Sequence, residues 1–203
     1  MKLYTHPWSN HAARVHILLN ELGLDYQAHA VELMEENLKP EYLQMNPNGK
    51  VPVLDDNSFI IWESHAILRY ISDKYDDGKY YPNNKQRYLV DQWLDWNHTR
   101  LNVEAITINF NNVVLGEEGD QQAVTAAKEE ALNLLTILDQ ALSGKNFICD
   151  EFSIADISLF TSVVYLNENK VDFSQLRNVQ RWFDAINQRA SVKAPLEGIK
   201  EAY

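Results

Sequence analysis

Two short segments carry the residue types that a small peptide ligand needs. Asn46-Pro47-Asn48-Gly49-Lys50-Val51-Pro52-Val53-Leu54 is a turn leading into a β-like run, with Val51 directly before Pro52. A cis bond at that point leaves the Val51 N–H and C=O unpaired and facing outward. An extended peptide can then pair with Val51 as an added strand. The second segment, Trp62-Glu63-Ser64-His65-Ala66-Ile67, closes a β-like run from Ser58 to Trp62 and opens a helix. Glu63 offers a carboxylate to an ammonium, beside helix-start amides that suit a carboxylate. The pair fits an amino-acid head group. Taken singly each has an ordinary reading: Ser64 as a helix cap, Glu63 as a solvated carboxylate, Lys50 as a turn residue.

Composition narrows the field. The 203 residues include 18 Lys and Arg against 29 Asp and Glu, a formal charge of -11. Nucleic-acid binding needs a clustered basic surface, which this balance disfavours. The single cysteine, Cys149, cannot form an internal disulfide, and no CxxC stands ready for zinc or dithiol chemistry. His6, His11, His16, His29 and His98 show no metal-ligand spacing, so surface or core roles are expected for them and no metal is expected. The start turns polar too soon for a secretory segment, and no apolar run approaches the ~20 residues of a membrane span. The expectation is a cytoplasmic protein with no membrane or nucleic-acid partner.

The elements that must position these segments follow from periodicity. Lys2 to Thr5 reads as a strand, Asn10 to Leu22 as a helix stopped by Gly23, and Tyr26 to Leu33 as a second strand. Leu38 to Met45 is a short helix, Val51 to Leu54 and Phe59 to Trp62 form a hairpin, and Ser64 to Tyr75 closes the unit as a helix. The order is βαβαββα. After the turn-rich stretch from Asp76 to Asn84 no convincing strand follows. Helices are expected over Tyr88 to about Val114, Gln121 to Leu142, Ser153 to Leu166 and Leu176 to Ala190. Ser153-Ile154-Ala155-Asp156 has the form of a capping box with Asp as its fourth member. The predicted division is an α/β domain over residues 1–77 and an all-helical bundle over 86–203.

This order resembles the cytosolic glutathione transferases, over nearly the whole chain. The matching pieces are Pro7 to Val15, Asn46 to Leu54, Trp62 to Ile71, and Phe152 to Asp156. The resemblance implies a thioredoxin-like first domain that binds glutathione, and second-domain helices that complete a hydrophobic co-substrate pocket and a homodimer interface. The bacterial-type, serine-type (theta- and delta-like) members place a serine after the first strand, and Ser9 occupies that position with Arg14-Val15 beyond it. Ser9 is the implied catalytic residue. Tyr4 lies too early for the tyrosine-type role and is expected to pack between sheet and helix. The resemblance further implies a cis bond at Pro52, pairing of Val51 with the cysteinyl backbone, and Glu63 on the γ-glutamyl ammonium. Ser64 takes the adjoining carboxylate and Lys50 the glycyl one. Asn37 stands where relatives often carry histidine and His65 where some carry arginine, so the contact from His65 depends on pH. Trp8, with Ile106 and Phe110 on the long helix, is a candidate wall of the co-substrate pocket.

The chemistry implied is thiolate stabilisation. A free thiol with pKa about 8.5 is mostly protonated at neutral pH, yet the thiolate is the nucleophile. A hydrogen bond from the Ser9 hydroxyl, aided by amides of the following helix start, is expected to hold the anion for attack on a small hydrophobic electrophile or a peroxide oxygen. Glutathione is then a co-substrate and no cofactor is implied. The competing readings are a non-catalytic transferase-like scaffold and a glutathione-dependent isomerase or dehalogenase. Ser9, Lys50 and Glu63-Ser64 favour the enzyme over the scaffold, and the Ser-Ser-Cys signature of the isomerases is absent from Ser9-Asn10-His11.

Overall fold

In the computed structural model, which describes residues 1–203, the first half of the chain folds around a four-stranded mixed sheet. Its elements are β1 (Lys2–Thr5), α1 (Asn10–Glu21), β2 (Gln27–Ala30), α2 (Pro40–Met45), β3 (Val53–Asp56), β4 (Phe59–Trp62) and α3 (Ser64–Tyr75). The strands lie in the order β2-β1-β3-β4; β1 runs parallel to β2 and antiparallel to β3, and β3 antiparallel to β4. This is the thioredoxin-like arrangement with the expected βαβαββα order. β3 begins two residues later than periodicity suggests, because Pro52 has no N–H to give to a ladder. Val51 is thereby left outside the sheet. β2 is shorter than expected, since only Gln27–Ala30 finds partners on β1.

The second half is helical: α4 (Gln86–Trp96), α5 (Asn102–Asn109), α6 (Gln121–Ala141), α7 (Ile154–Glu168), α8 (Arg177–Asn187) and α9 (Lys193–Lys200). The long helix expected over 88–114 is one continuous run broken by two π turns, at Asn97–Leu101 and Phe110–Val114. Such turns recur at functional sites because they re-aim side chains. α9 lies beyond the last helix expected from periodicity, which stops at Ala190, and it contains Pro195 and Gly198. No helix is long and apolar enough to cross a membrane.

α7 is the central post. Every residue from Ile154 to Leu166 is buried; most are apolar, and the polar Asp156, Ser158, Thr161 and Ser162 are hydrogen-bonded inside. It packs against α1 of the first half and against α4 and α5 of the second. The capping box expected at its start is present: Asp156 accepts from the Ser153 N–H at 3.0 Å, and also from the Ile148 N–H and the Trp182 Nε1–H, both at 2.9 Å. One apolar cluster runs through both halves, from Leu3, Val15 and Ile71 to Leu94, Phe160 and Trp182. The sheet and the bundle thus meet across α1 and α7. Tyr4 packs edge-on against Tyr42 and His29, on the α2 side of the sheet.

Candidate active site

Ser9 is the N-cap of α1. Its backbone is extended (φ -82°, ψ 115°) and its Oγ accepts the Ala12 N–H at 3.2 Å. A hydroxyl that accepts from its own helix keeps its proton free to donate elsewhere. The amides expected to help it are largely engaged. The Asn10 N–H donates to the Tyr165 hydroxyl at 3.0 Å, and the Ala13 N–H to the Ser9 carbonyl at 2.9 Å. Only the His11 N–H of this first turn is without a partner. The Tyr165 hydroxyl in turn donates to the Trp8 carbonyl, so one phenol on α7 clamps the backbone on both sides of Ser9.

The loop before β3 is held from behind. The Lys50 carbonyl accepts from the Tyr42 hydroxyl at 2.9 Å and from Asn46 Nδ2 at 2.8 Å, while the Lys50 side chain is exposed. Gly49 has φ +60°, and a Cβ there would lie 3.0 Å from the Asn37 carbonyl. Asn37 itself is buried, and its Nδ2 donates to the Gly49 carbonyl at 2.7 Å. The amide nitrogen thus shapes the loop that carries Lys50, and Asn37 also lines the apolar cavity described below. The Val51–Pro52 bond is cis. Val51 sits beyond the ladder with neither its N–H nor its C=O paired.

At the start of α3, Glu63 adopts φ 69°, ψ 113° and does not cap the helix with its side chain. A positive φ in a non-glycine residue costs of order 1 kcal/mol or more and clusters at ligand clamps. The turn leaves the Ser64, His65 and Ala66 N–H groups without partners and presents an exposed carboxylate beside them. Ser64 is buried; its Oγ lies 3.2 Å from His11 Nδ1 and 3.4 Å from Arg14 Nη1. His65 departs from expectation. Its ring turns inward, with Nε2 at 2.9 Å from Arg14 Nη1 and 2.5 Å from the Ser158 hydroxyl. Burial, then Arg14, hold His65 neutral well below the usual imidazole range, so its ring is an interior acceptor rather than an anion contact.

Arg14 is fully buried and meets only neutral groups: Thr161 Oγ1, Ser64 Oγ, His65 Nε2 and Asn102 Oδ1. Burial pulls it down to about 9, which still leaves it charged at neutral pH. A buried cation without a counter-charge favours an anion nearby, and the open α3 start is that neighbourhood. Cys149 is no alternative nucleophile, because burial pushes its thiol up to about 12.

Two adjoining cavities of about 500 Å³ each open onto these groups. The polar one is lined by Lys50, Val51, Glu63, Ser64, His98 and Asn102. The apolar one takes Trp8, Ser9, Met34, Ile106, Phe110 and Tyr165. His11, Lys50, Val51 and Ile106 belong to both, so Ser9 looks into the apolar cavity close to where the polar one joins it. Periodicity missed His11, His98, Asn102 and Tyr165 as site residues. The first three come from α1 and from the π turn and helix start beyond α4, which only the packing on α7 brings to the α3 start.

With this geometry in view, comparison with known proteins is direct. Residues 1–73 match the family model for the glutathione S-transferase N-terminal domain, and residues 99–190 that for the C-terminal domain. The chain is 32% identical over 188 residues to glutathione S-transferase D7 of Drosophila melanogaster, covering 90% of this chain and 82% of that one. It is also 32% identical over 197 residues to glutathione S-transferase GstB of Escherichia coli (strain K12), covering 91% and 92%. Among solved structures, the theta class glutathione S-transferase of Xanthomonas axonopodis pv. citri with glutathione bound superposes with a TM-score of 0.90 at 26% identity, covering 96% of each chain. Glutathione transferase F7 of Populus trichocarpa superposes with a TM-score of 0.90 at 28% identity over 98% of each chain. The chain belongs to the glutathione S-transferase family.

Proposed function

We propose that the protein binds glutathione in the polar cavity and uses Ser9 to hold its sulfur as a thiolate for attack on small hydrophobic electrophiles in the apolar one. The observation that carries this reading is the Ser9 hydroxyl, which has a free proton and stands on the apolar wall beside the junction of the two cavities. Val51, unpaired and lining both cavities, would take the cysteinyl backbone. Glu63 would hold the γ-glutamyl ammonium, Ser64 and the open α3 amides its carboxylate, and Lys50 the glycyl carboxylate. Trp8, Ile106 and Phe110 would face the electrophile. The reaction needs no cofactor, since glutathione is the second substrate.

A charge-assisted hydrogen bond from Ser9 is worth roughly 1.5 to 3 kcal/mol. At about 1.4 kcal/mol per unit it lowers the thiol pKa by roughly one to two units. Titrating the near-ultraviolet thiolate absorbance of the glutathione complex tests this. Ser9→Ala should titrate higher by that amount, and an unchanged midpoint removes Ser9 as the activator.

Assembly as a homodimer has its own support. Phe59, Ile60 and Trp62 on β4 and Tyr88 and Leu89 on α4 are exposed, with Tyr88 at 74%, and exposed apolar residues of this kind mark association surfaces. Sedimentation of Tyr88→Glu beside wild type checks it; a wild-type monomer at micromolar concentration rules it out.

A further inference from the structure

The hydrogen bonds behind the α3 start run in one direction only. Asn102 Oδ1 lies 2.9 Å from Asn10 Nδ2, 3.1 Å from Arg14 Nη2 and 3.0 Å from the Ser162 hydroxyl. A guanidinium can only donate, so this atom is the amide oxygen and the amide nitrogen lies on the other side. That nitrogen faces His11 Nε2 at 3.4 Å. It can only donate, so Nε2 is an unprotonated acceptor. A neutral imidazole then carries its proton on Nδ1, and Nδ1 lies 3.2 Å from Ser64 Oγ. Arg14 Nη1 reaches the same oxygen at 3.4 Å. Two interior donors occupy the lone pairs of Ser64 Oγ, so its own proton has nowhere to go but outward.

We propose that His11 is a positioning residue: its Nδ1–H, with Arg14, makes the Ser64 hydroxyl a one-way donor aimed at the α-carboxylate of the γ-glutamyl group. The inference rests on the glutathione reading above and adds to it a reason for selecting a carboxylate over a neutral group. The Ser64 hydroxyl and the unpaired N–H groups at the start of α3 all donate, while the Glu63 carboxylate beside them is left to the ammonium of the same group. Burial, with Arg14 and His98 nearby, keeps the His11 imidazole neutral, which preserves the required tautomer.

Calorimetry and steady-state kinetics on three proteins test it: wild type, His11→Ala, and His11→Asn, whose amide nitrogen can take the place of Nδ1. Two ligands separate the roles, glutathione and 4-aminobutyryl-cysteinyl-glycine, which lacks only the α-carboxylate. His11→Ala should weaken glutathione binding about tenfold, because a Ser64 hydroxyl left free to turn no longer holds its hydrogen bond to the charged carboxylate, and the change should fall on KM more than on kcat. His11→Asn should recover most of it. For the shortened peptide, wild type and His11→Ala should differ by less than about twofold. Equal losses for both ligands would reduce His11 to a packing role, as would failure of His11→Asn to restore glutathione binding. Wild type that binds neither peptide would remove the glutathione reading itself, an outcome distinct from failure at His11 because it appears without any substitution.

Discussion

Two serines at two helix starts show how little a residue's identity decides. Ser9 is partly exposed and caps its own helix, accepting from the Ala12 N–H. Ser64 is buried and leaves α3 uncapped, while His11 and Arg14 crowd its oxygen from inside. Each keeps one proton for the cavity. Ser9 lies on an apolar chamber, where water competes little for a donor; Ser64 lies on a polar groove beside a buried cation. The difference teaches that burial and the direction of neighbouring donors give the same hydroxyl different surroundings, one apolar and one polar.

The comparison breaks or sharpens under substitution. Ser9→Ala should lower kcat/KM with glutathione at pH 7 by roughly 8- to 25-fold, the loss of thiolate that follows from a thiol pKa shift of one to two units. Activity should recover as the pH is raised above the new midpoint. A loss that persists at high pH would assign Ser9 a capping role alone. Ser64→Ala should act on the other term, raising the KM for glutathione about tenfold while the thiolate midpoint holds. If Ser64→Ala moved the midpoint as far as Ser9→Ala, the two serines would not divide the work.

Acid distinguishes the two ends by a smaller margin per pH unit. His11 and His65, which brace the Ser64 end, both have folded pKa values depressed below the imidazole value of 6.5, chiefly by burial. The unfolded chain therefore binds more protons below pH 6.5, so their contribution is fully present above it and falls as pH falls. The slope is about 1 kcal/mol per pH unit for each ring once the pH lies below that value. His16 follows the same sign with a folded value of about 4, so its share is lost between pH 6.5 and 4. Urea unfolding at pH 7, 6 and 5 measures this, and a midpoint that is flat over that range would contradict it.

The smallest effect concerns the clamp. Tyr165→Phe keeps the ring but removes the hydroxyl that joins the Asn10 N–H to the Trp8 carbonyl. Hydrogen exchange at the Asn10 amide should quicken roughly 5- to 10-fold, as for loss of about 1 kcal/mol of local protection. No change there would mean that α7 does not hold the Ser9 loop through this phenol.

Much of this molecule was open to reading from the chain itself. Spacing placed β1, α1, β4 and α3 within a residue of their observed bounds, because apolar periods of two and 3.6 reflect one buried face each. Pro52 moved β3 by two residues, a backbone effect that periodicity does not register. α9 lies beyond the last helix expected from periodicity; packing explains its Gly198, where a Cβ would meet the Pro7 Cβ at 3.1 Å.

The site divides in the same way. Local order determined that Ser9 starts a helix, that Val51 precedes a proline and that Glu63-Ser64 joins a strand to a helix, since each depends on neighbours in the chain. Only the tertiary structure decided that the Asn37 amide turns to Gly49, that His65 points into the interior, and that His11 becomes the partner of Ser64. The last two outcomes depend on Asn102, Ser158 and Thr161, which lie about 90 or more residues from their partners on α1 or α3. A hydrogen bond has a direction, and the direction of each bond behind Ser64 is set by a donor that arrives from another helix.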